Sequence, residues 1–294
     1  MPDATARLPI QKTYKLYIGG AFPRSESGRY LQAKTAGGSF MANIAHASRK
    51  DFRDAVGAAR KAQPSWAGRS AFNRGQILYR LAEMLEGRRA TFEAQLVLAA
   101  GYTPDDAAAE VSASIDRVTW YSGWCDKFHQ FAGNTNPVAT AHFNFSFPEP
   151  QGVVALLASR EAPLLGLLSG LMPIIASGNT VVAVVDNLAP TVALELAEAL
   201  ATSDLPGGVV NLLTGLRSEL APQAGTHQDV DGVFAIGGDV AERRQLQIDA
   251  AETVKRTFFV PDAAPAEWLR DERQSPFWIL PFVEVKTAWH PIGI

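Results

Sequence analysis

A doubly wound parallel sheet in an α/β fold is what this sequence predicts, and three observations predict it. From Gly152 to Val260 short apolar runs alternate with helical segments. The runs are almost continuously apolar (Val153-Val-Ala-Leu-Leu157 and Thr180-Val-Val-Ala-Val-Val185), as strands covered on both faces must be. Upstream lie four segments with apolar residues at helical spacing, and near Thr140 and at the tail the period changes to two. The expected fold is a Rossmann-like sheet behind N-terminal helices, with a strand arm and a C-terminal tail strand.

Each element has its own signal. Lys15 to Gly20 and Gly28 to Leu31 read as two short strands around a turn. Ser48 with Asp51 opens a helix whose Phe52, Val56, Ala59 and Ala62 share one face. A second helix covers 70–86, with Ile77, Leu78, Leu81 and Leu85 inward, and a third covers 90–100. Thr103 caps a fourth, with Pro104 at its first position and Asp105 and Asp106 at the positive dipole end; it runs through Val111, Ile115, Val118 and Trp124 towards Phe128.

Phe143, Phe145 and Phe147 then alternate with His142, Asn144 and Ser146, which puts three phenylalanines on one strand face before Pro148 and Pro150 stop it. Strands follow at 152–158, 180–185, 209–213, 230–236 and 256–260, with helices at 163–176, 190–202, 217–224 and 240–251 between them. Residues 261–278 carry three prolines and many charges and read as a linker. The chain closes on a strand in which Val283, Val285 and Thr287 face one way. The resulting division is 1–139 hairpin and helices, 140–150 arm strand, 151–260 βα units, 261–278 linker and 279–294 tail.

At 294 residues, 47% hydrophobic and 19% charged, the chain is long enough for a large core. A formal charge of -3 gives no footprint for nucleic acid, and no window has the roughly 18 apolar residues of a membrane span. One cysteine, Cys125, supplies neither a disulfide nor a zinc cluster, so a reducing, cytoplasmic setting is expected. His46, His129, His142, His227 and His290 lack metal spacing, so no metal is expected. Arg160 and Glu161 follow the first parallel strand, where such sheets hold ligands, although an ordinary charged turn explains them as well.

The order of motifs resembles the aldehyde dehydrogenase superfamily. Tyr17-Ile-Gly-Gly20 is similar to its opening hairpin, and Ala55 to Trp66 to its first helix. Tyr121-Ser-Gly-Trp-Cys-Asp-Lys127 resembles Y-A-G-W-A-D-K, and Glu149-Pro-Gln-Gly-Val-Val154 resembles E-P-x-G-V-V. Ala176-Ser-Gly-Asn-Thr-Val-Val182 is similar to A-x-G-N-T-V-V, Leu205 to Gly215 to L-P-x-G-V-x-N-x-x-x-G, and Phe282 to Trp289 to the family's last strand.

The resemblance also implies what this chain has replaced. Glu161 stands where the family's P-W-N-F-P has the oxyanion-binding asparagine, and an ionised carboxylate repels an oxyanion. Val184 stands where a lysine binds the cofactor ribose. Ile236 and Ala241 stand at two glycines of the F-T-G-S-x-x-x-G loop, leaving Ser159, Gly237 and Gly238 as residual candidates. Val260 takes the place of the general-base glutamate, and only 261–278 stands where the thiol-bearing catalytic domain belongs.

What this implies is a degenerate member without catalytic residues or cofactor, similar to the shortened second module of family 16 aldehyde dehydrogenases. Its expected work is to assemble with a full-length aldehyde dehydrogenase through Phe143, Phe145, Phe147, Phe282, Val283 and Val285, the tail strand being unpaired within its own chain. The alternative is an altered NAD(P)-binding oxidoreductase or cofactor sensor. No nucleic acid or membrane is implied.

Overall fold

The computed structural model describes residues 12–186 and 188–293. β1 (Thr13–Tyr14), β2 (Tyr30–Lys34) and β3 (Phe40–Ala45) form a small sheet in the order β1-β3-β2. Lys15 to Gly20, expected as a strand, makes only isolated bridges, Tyr17 to Leu212 and Ile18 to Ala21. Gly19 and Gly20 both have positive φ and turn the chain back too soon for a ladder.

α1 (Arg49–Ala67) begins with a full capping box: the Asp51 N–H donates to Ser48 Oγ at 3.2 Å, and the Ser48 N–H to Asp51 Oδ2 at 2.7 Å. α2 (Ala71–Gly87) follows, then α3 (Arg89–Gln95), which passes into a π-helical turn over Leu96–Ala100. α4 (Pro104–Ser122) is capped by Thr103. It stops short of Phe128; the chain turns at Gly123 and resumes as α5 (Phe128–Ala132).

β4 (Asn134–Asn136) and β5 (His142–Pro150) precede the main sheet. That sheet comprises β6 (Val153–Leu157), β7 (Thr180–Val185), β8 (Val210–Thr214), β9 (Gly232–Ile236) and β10 (Arg256–Val260), all parallel. Between successive strands run α6 (Leu165–Ala176), α7 (Pro190–Thr202), α8 (Arg217–Thr226) and α9 (Val240–Ala251). The strand order is β10-β9-β6-β7-β8, so the winding reverses between β6 and β9, the place where sheets of this class open a ligand crevice.

Alternation within the strands builds two cores. Val154, Leu156, Val181 and Ala183 face α2, α4, α6 and α7; Val153, Ala155, Val182 and Val184 face α1 and α8. Each fully buried Val or Leu contributes about 1.5–3 kcal/mol before chain entropy is counted.

The segment after β10 differs from the expected linker. α10 (Pro265–Trp268) and two 3₁₀ turns, Asp271–Arg273 and Pro276–Phe282, cap the core, with Trp268 and Ile279 fully buried. Arg117 on α4 holds this cap: its guanidinium donates to Gln274 Oε1 at 3.0 Å, the Arg273 carbonyl at 2.8 Å and the Trp268 carbonyl at 3.1 Å, and also to Ser169. Burial without a bonded carboxylate pushes its pKa down to about 10.

β11 (Val283–Pro291) pairs antiparallel with β5 along nine residues, from Val283 opposite Pro150 to Pro291 opposite His142. The tail strand is thus paired within its own chain, contrary to the sequence expectation. Pro148 and Pro150 do not stop β5 either. β4 pairs with β5 only from Asn144 to Ser146, so beyond that point no strand among the described residues lies on that side of β5 and a missing N–H breaks no ladder.

Candidate functional site

The crevice at the carboxyl ends of β6 and β9 is where the fold would place a ligand. β6 delivers Ser159, fully buried, whose Oγ donates to Asp262 Oδ1 at 2.6 Å and accepts from the Glu161 and Ala162 N–H groups at 3.2 Å. The Arg160 N–H donates to Asp262 Oδ2 at 2.8 Å, so Asp262 ties the loop after β6 to the end of β10. Glu161 is exposed, and its carbonyl accepts from the Tyr102 hydroxyl at 3.3 Å.

On the β9 side, Gly237 and Gly238 have φ of 75° and 80°, two successive left-handed residues that only glycine adopts freely. The Gly237 N–H donates to the Val260 carbonyl at 2.8 Å. A Cβ on Gly238 would lie 2.3 Å from Glu242 Oε1 and 3.0 Å from Arg217 Nη2.

Those two side chains define the site, and no local pattern announced them. Arg217, at the first position of α8, is 6% exposed. Its Nε donates to Glu242 Oε1 and Oε2 at 2.9 and 3.1 Å, its Nη2 to Oε1 at 2.8 Å, and its Nη1 to the Ile236 carbonyl at 2.8 Å and the Ala158 carbonyl at 3.4 Å. The guanidinium therefore bridges the ends of β9 and β6. A cation at a helix N-terminus opposes the helix dipole, which is the one signal that Arg217 needs an anionic partner. Its backbone N–H is held by Asp186 Oδ2 at 2.8 Å.

The remaining candidates are dispersed. Val184 packs on the α1 side of the sheet, Ile236 on the α6 side, and Ala241 is exposed on the first turn of α9. Cys125 is 1% exposed, donates to the Tyr121 carbonyl at 3.5 Å, and burial pushes its thiol up to about 12. Among the described residues no group of three or more His, Cys, Asp or Glu could hold a metal ion, and no helix is long and apolar enough to cross a membrane.

The six expected interface residues divide. Phe143, Phe145 and Phe147 line one arm face with ring spacings of 5.4 and 5.9 Å, Phe143 being 48% exposed. Val285, 57% exposed, lies on the other face. Phe282 and Val283 are only 2% exposed: the Phe282 ring sits 5.5 Å from Phe234 and 6.0 Å from Phe258, so both residues belong to the chain's own core and not to a partner surface.

A five-stranded doubly wound sheet with a switch-point crevice and an antiparallel arm defines a dinucleotide-fold α/β domain. Residues 22–259 match the aldehyde dehydrogenase family, and the chain belongs to that family. It is 32% identical over 269 residues to the cytosolic aldehyde dehydrogenase 1 of Elephantulus edwardii, covering 87% of this chain and 52% of that protein. To the cytosolic 10-formyltetrahydrofolate dehydrogenase of Mus musculus it is 32% identical over 263 residues, 86% of this chain and 29% of that protein. The NAD+ complex of aldehyde dehydrogenase from Bacillus cereus superposes with a TM-score of 0.80 at 26% identity, covering 85% of this chain and 51% of that one. The chain thus spans about half the length of the aldehyde dehydrogenases it matches.

A dinucleotide is the group this family implies. In the crevice, pyrophosphate oxygens would need unengaged N–H donors at a helix N-terminus. Here the Arg217–Glu242 pair fills the space over Gly238, and α9 opens with Asp239, whose side chain takes the Glu242 N–H at 2.7 Å. Asp239 adds a carboxylate that Arg217 does not pair, which disfavours a further anion at that end. The residues present do not fit the group.

Proposed function

We propose that this chain is a non-catalytic aldehyde dehydrogenase-like subunit that takes no NAD(P) and assembles with a full-length aldehyde dehydrogenase in the cytoplasm. The observation carrying this reading is the Arg217–Glu242 pair seated across the ends of β6 and β9. Glu161, Val184 and Val260, at positions where the resemblance implies an oxyanion donor, a ribose-binding lysine and a base, agree with it.

Assembly is supported by the arm. Three phenylalanine rings on one face of β5 leave apolar surface partly in water, a pattern that marks contact surfaces. The test is co-expression with a full-length aldehyde dehydrogenase of the same cell, read by light scattering of the purified species. A mixed oligomer that Phe143→Ser with Phe145→Ser dissolves supports the proposal, and two separate homogeneous species overturn it.

The alternative, an NAD(P)-binding oxidoreductase or sensor, draws on the NAD+ complex among the solved relatives and on the adjacent Gly237 and Gly238. Calorimetric titration decides between them: saturable binding of NAD+ or NADP+ at micromolar concentration establishes the alternative.

A further inference from the structure

An apolar groove opens where the small N-terminal sheet meets the helical body. Its volume is about 530 Å3, within the range of cavities that take small organic ligands. Leu31 and Ala33 of β2 with Ile44 of β3 form one wall, Ala99 and Ala100 at the end of the π-helical turn form a second, and Leu188, just ahead of α7, forms a third. The groove shares no lining residue with the switch-point crevice.

Backbone bonds fix its shape. The Thr35 N–H donates to the Ser39 carbonyl at 2.8 Å and closes the turn after β2, and the Ala36 N–H donates to the Leu98 carbonyl at 3.0 Å and ties that turn to the π-helical one. The walls run from core to water, Ile44 being 2% exposed and Leu188 73%. Side chains alternate along β2, so Leu31 and Ala33 turn inwards while Gln32 and Lys34 stay exposed at the rim. Lys34 is the single charged side chain among the described residues that line the groove, and it has no carboxylate partner among the described residues. Beside it the Thr35 hydroxyl accepts from the Ser39 N–H at 3.1 Å and keeps its own proton to donate.

We propose that this groove binds a free medium-chain fatty acid, its alkyl chain lying against Leu31, Ala33, Ala99 and Leu188 and its carboxylate at the rim, paired with Lys34 and hydrogen-bonded by Thr35. Aliphatic walls suit a saturated chain, whose burial is favourable in proportion to its length. The lone ammonium selects the anion: a carboxylate meets no like charge there, and an alkylamine meets one. The inference is independent of the subunit reading and of the state of the switch-point crevice.

Calorimetric titration of the full chain at neutral pH with octanoate, hexanoate and n-octylamine tests it. Octanoate should bind saturably, hexanoate about fifteenfold more weakly, at about fourfold for each methylene lost, and the amine not at all. Lys34→Glu turns an attraction into a repulsion and should weaken octanoate about tenfold, while Lys34→Arg holds it. Leu188→Ser, on a distant segment, should weaken it about fourfold or more. Both positions are exposed, so all three variants should melt as the parent does. Absence of saturable octanoate binding, equal binding of the amine, an affinity that ignores chain length, or unchanged affinity in Lys34→Glu or Leu188→Ser overturns the proposal.

Discussion

Arg217 Nη1 donates to the carbonyl of Ile236 at 2.8 Å, and this bond puts a cation at the end of β9 where the fold leaves an opening beside β6. Glu242 supplies the compensating charge from the next helix. Glu242→Ala would leave a guanidinium that is 6% exposed without its carboxylate. Because Glu242 is partly solvated, the expected loss is about 2 kcal/mol, below the 3–5 of a fully buried pair. Urea unfolding measures it, and an unchanged midpoint would mean that the pair is incidental.

The cap should behave as core. Trp268→Ala removes a fully buried indole that also donates to the Ala263 carbonyl at 3.1 Å, and about 3–5 kcal/mol of stability should go with it. Trp289→Ala, on a side chain 58% exposed, should change little. Equal thermal shifts for the two variants would show that 261–282 is a loose connection.

Deleting 279–294 takes Ile279, Phe282 and Val283 out of the core and should leave an unfolded or aggregated chain. Deleting 285–294 spares them, and circular dichroism should show the helices and main sheet intact. A folded chain after the longer deletion contradicts the core assignment of Phe282.

Burial raises the Glu110 carboxyl above its usual range, opposed in part by the Leu165 and Leu164 N–H groups and by the Tyr102 hydroxyl. Between the ordinary value of 4.5 and the raised one, the folded chain binds more protons than the unfolded chain, so this group's stabilising share is full below 4.5 and lost as pH rises through the native value. Glu110→Gln keeps an oxygen for both N–H groups and removes the titration. Its melting temperature should therefore gain on the parent's as pH rises from acid to neutral, and a constant difference would refute the assignment.

Cys125 should be inert. With the thiol pushed up to about 12 and 1% exposed, iodoacetamide should label it only after denaturation. Rapid labelling of the native chain would show an opening between α2 and α4 that the packing of Gly75 against Ser122 and Cys125 argues against.

The sheet was legible because its code is local. Thr180–Val185, Val240–Ala251 and Arg256–Val260 follow from continuous apolar runs and caps that act within a few residues, and the strands that alternate with these helices can wind only a few ways. The alternation of Phe143, Phe145 and Phe147 likewise settled which face they share. Tertiary structure alone decided the rest. Arg217 and Glu242 meet from two different helices, Arg117 reaches the carbonyls of Trp268 and Arg273, and β5 accepts two prolines because β11 lies on one side of it and β4, on the other, pairs only as far as Ser146. Each of these depends on distant segments converging to satisfy a buried charge or a backbone group, and neither periodicity nor propensity encodes a partner that is far along the chain.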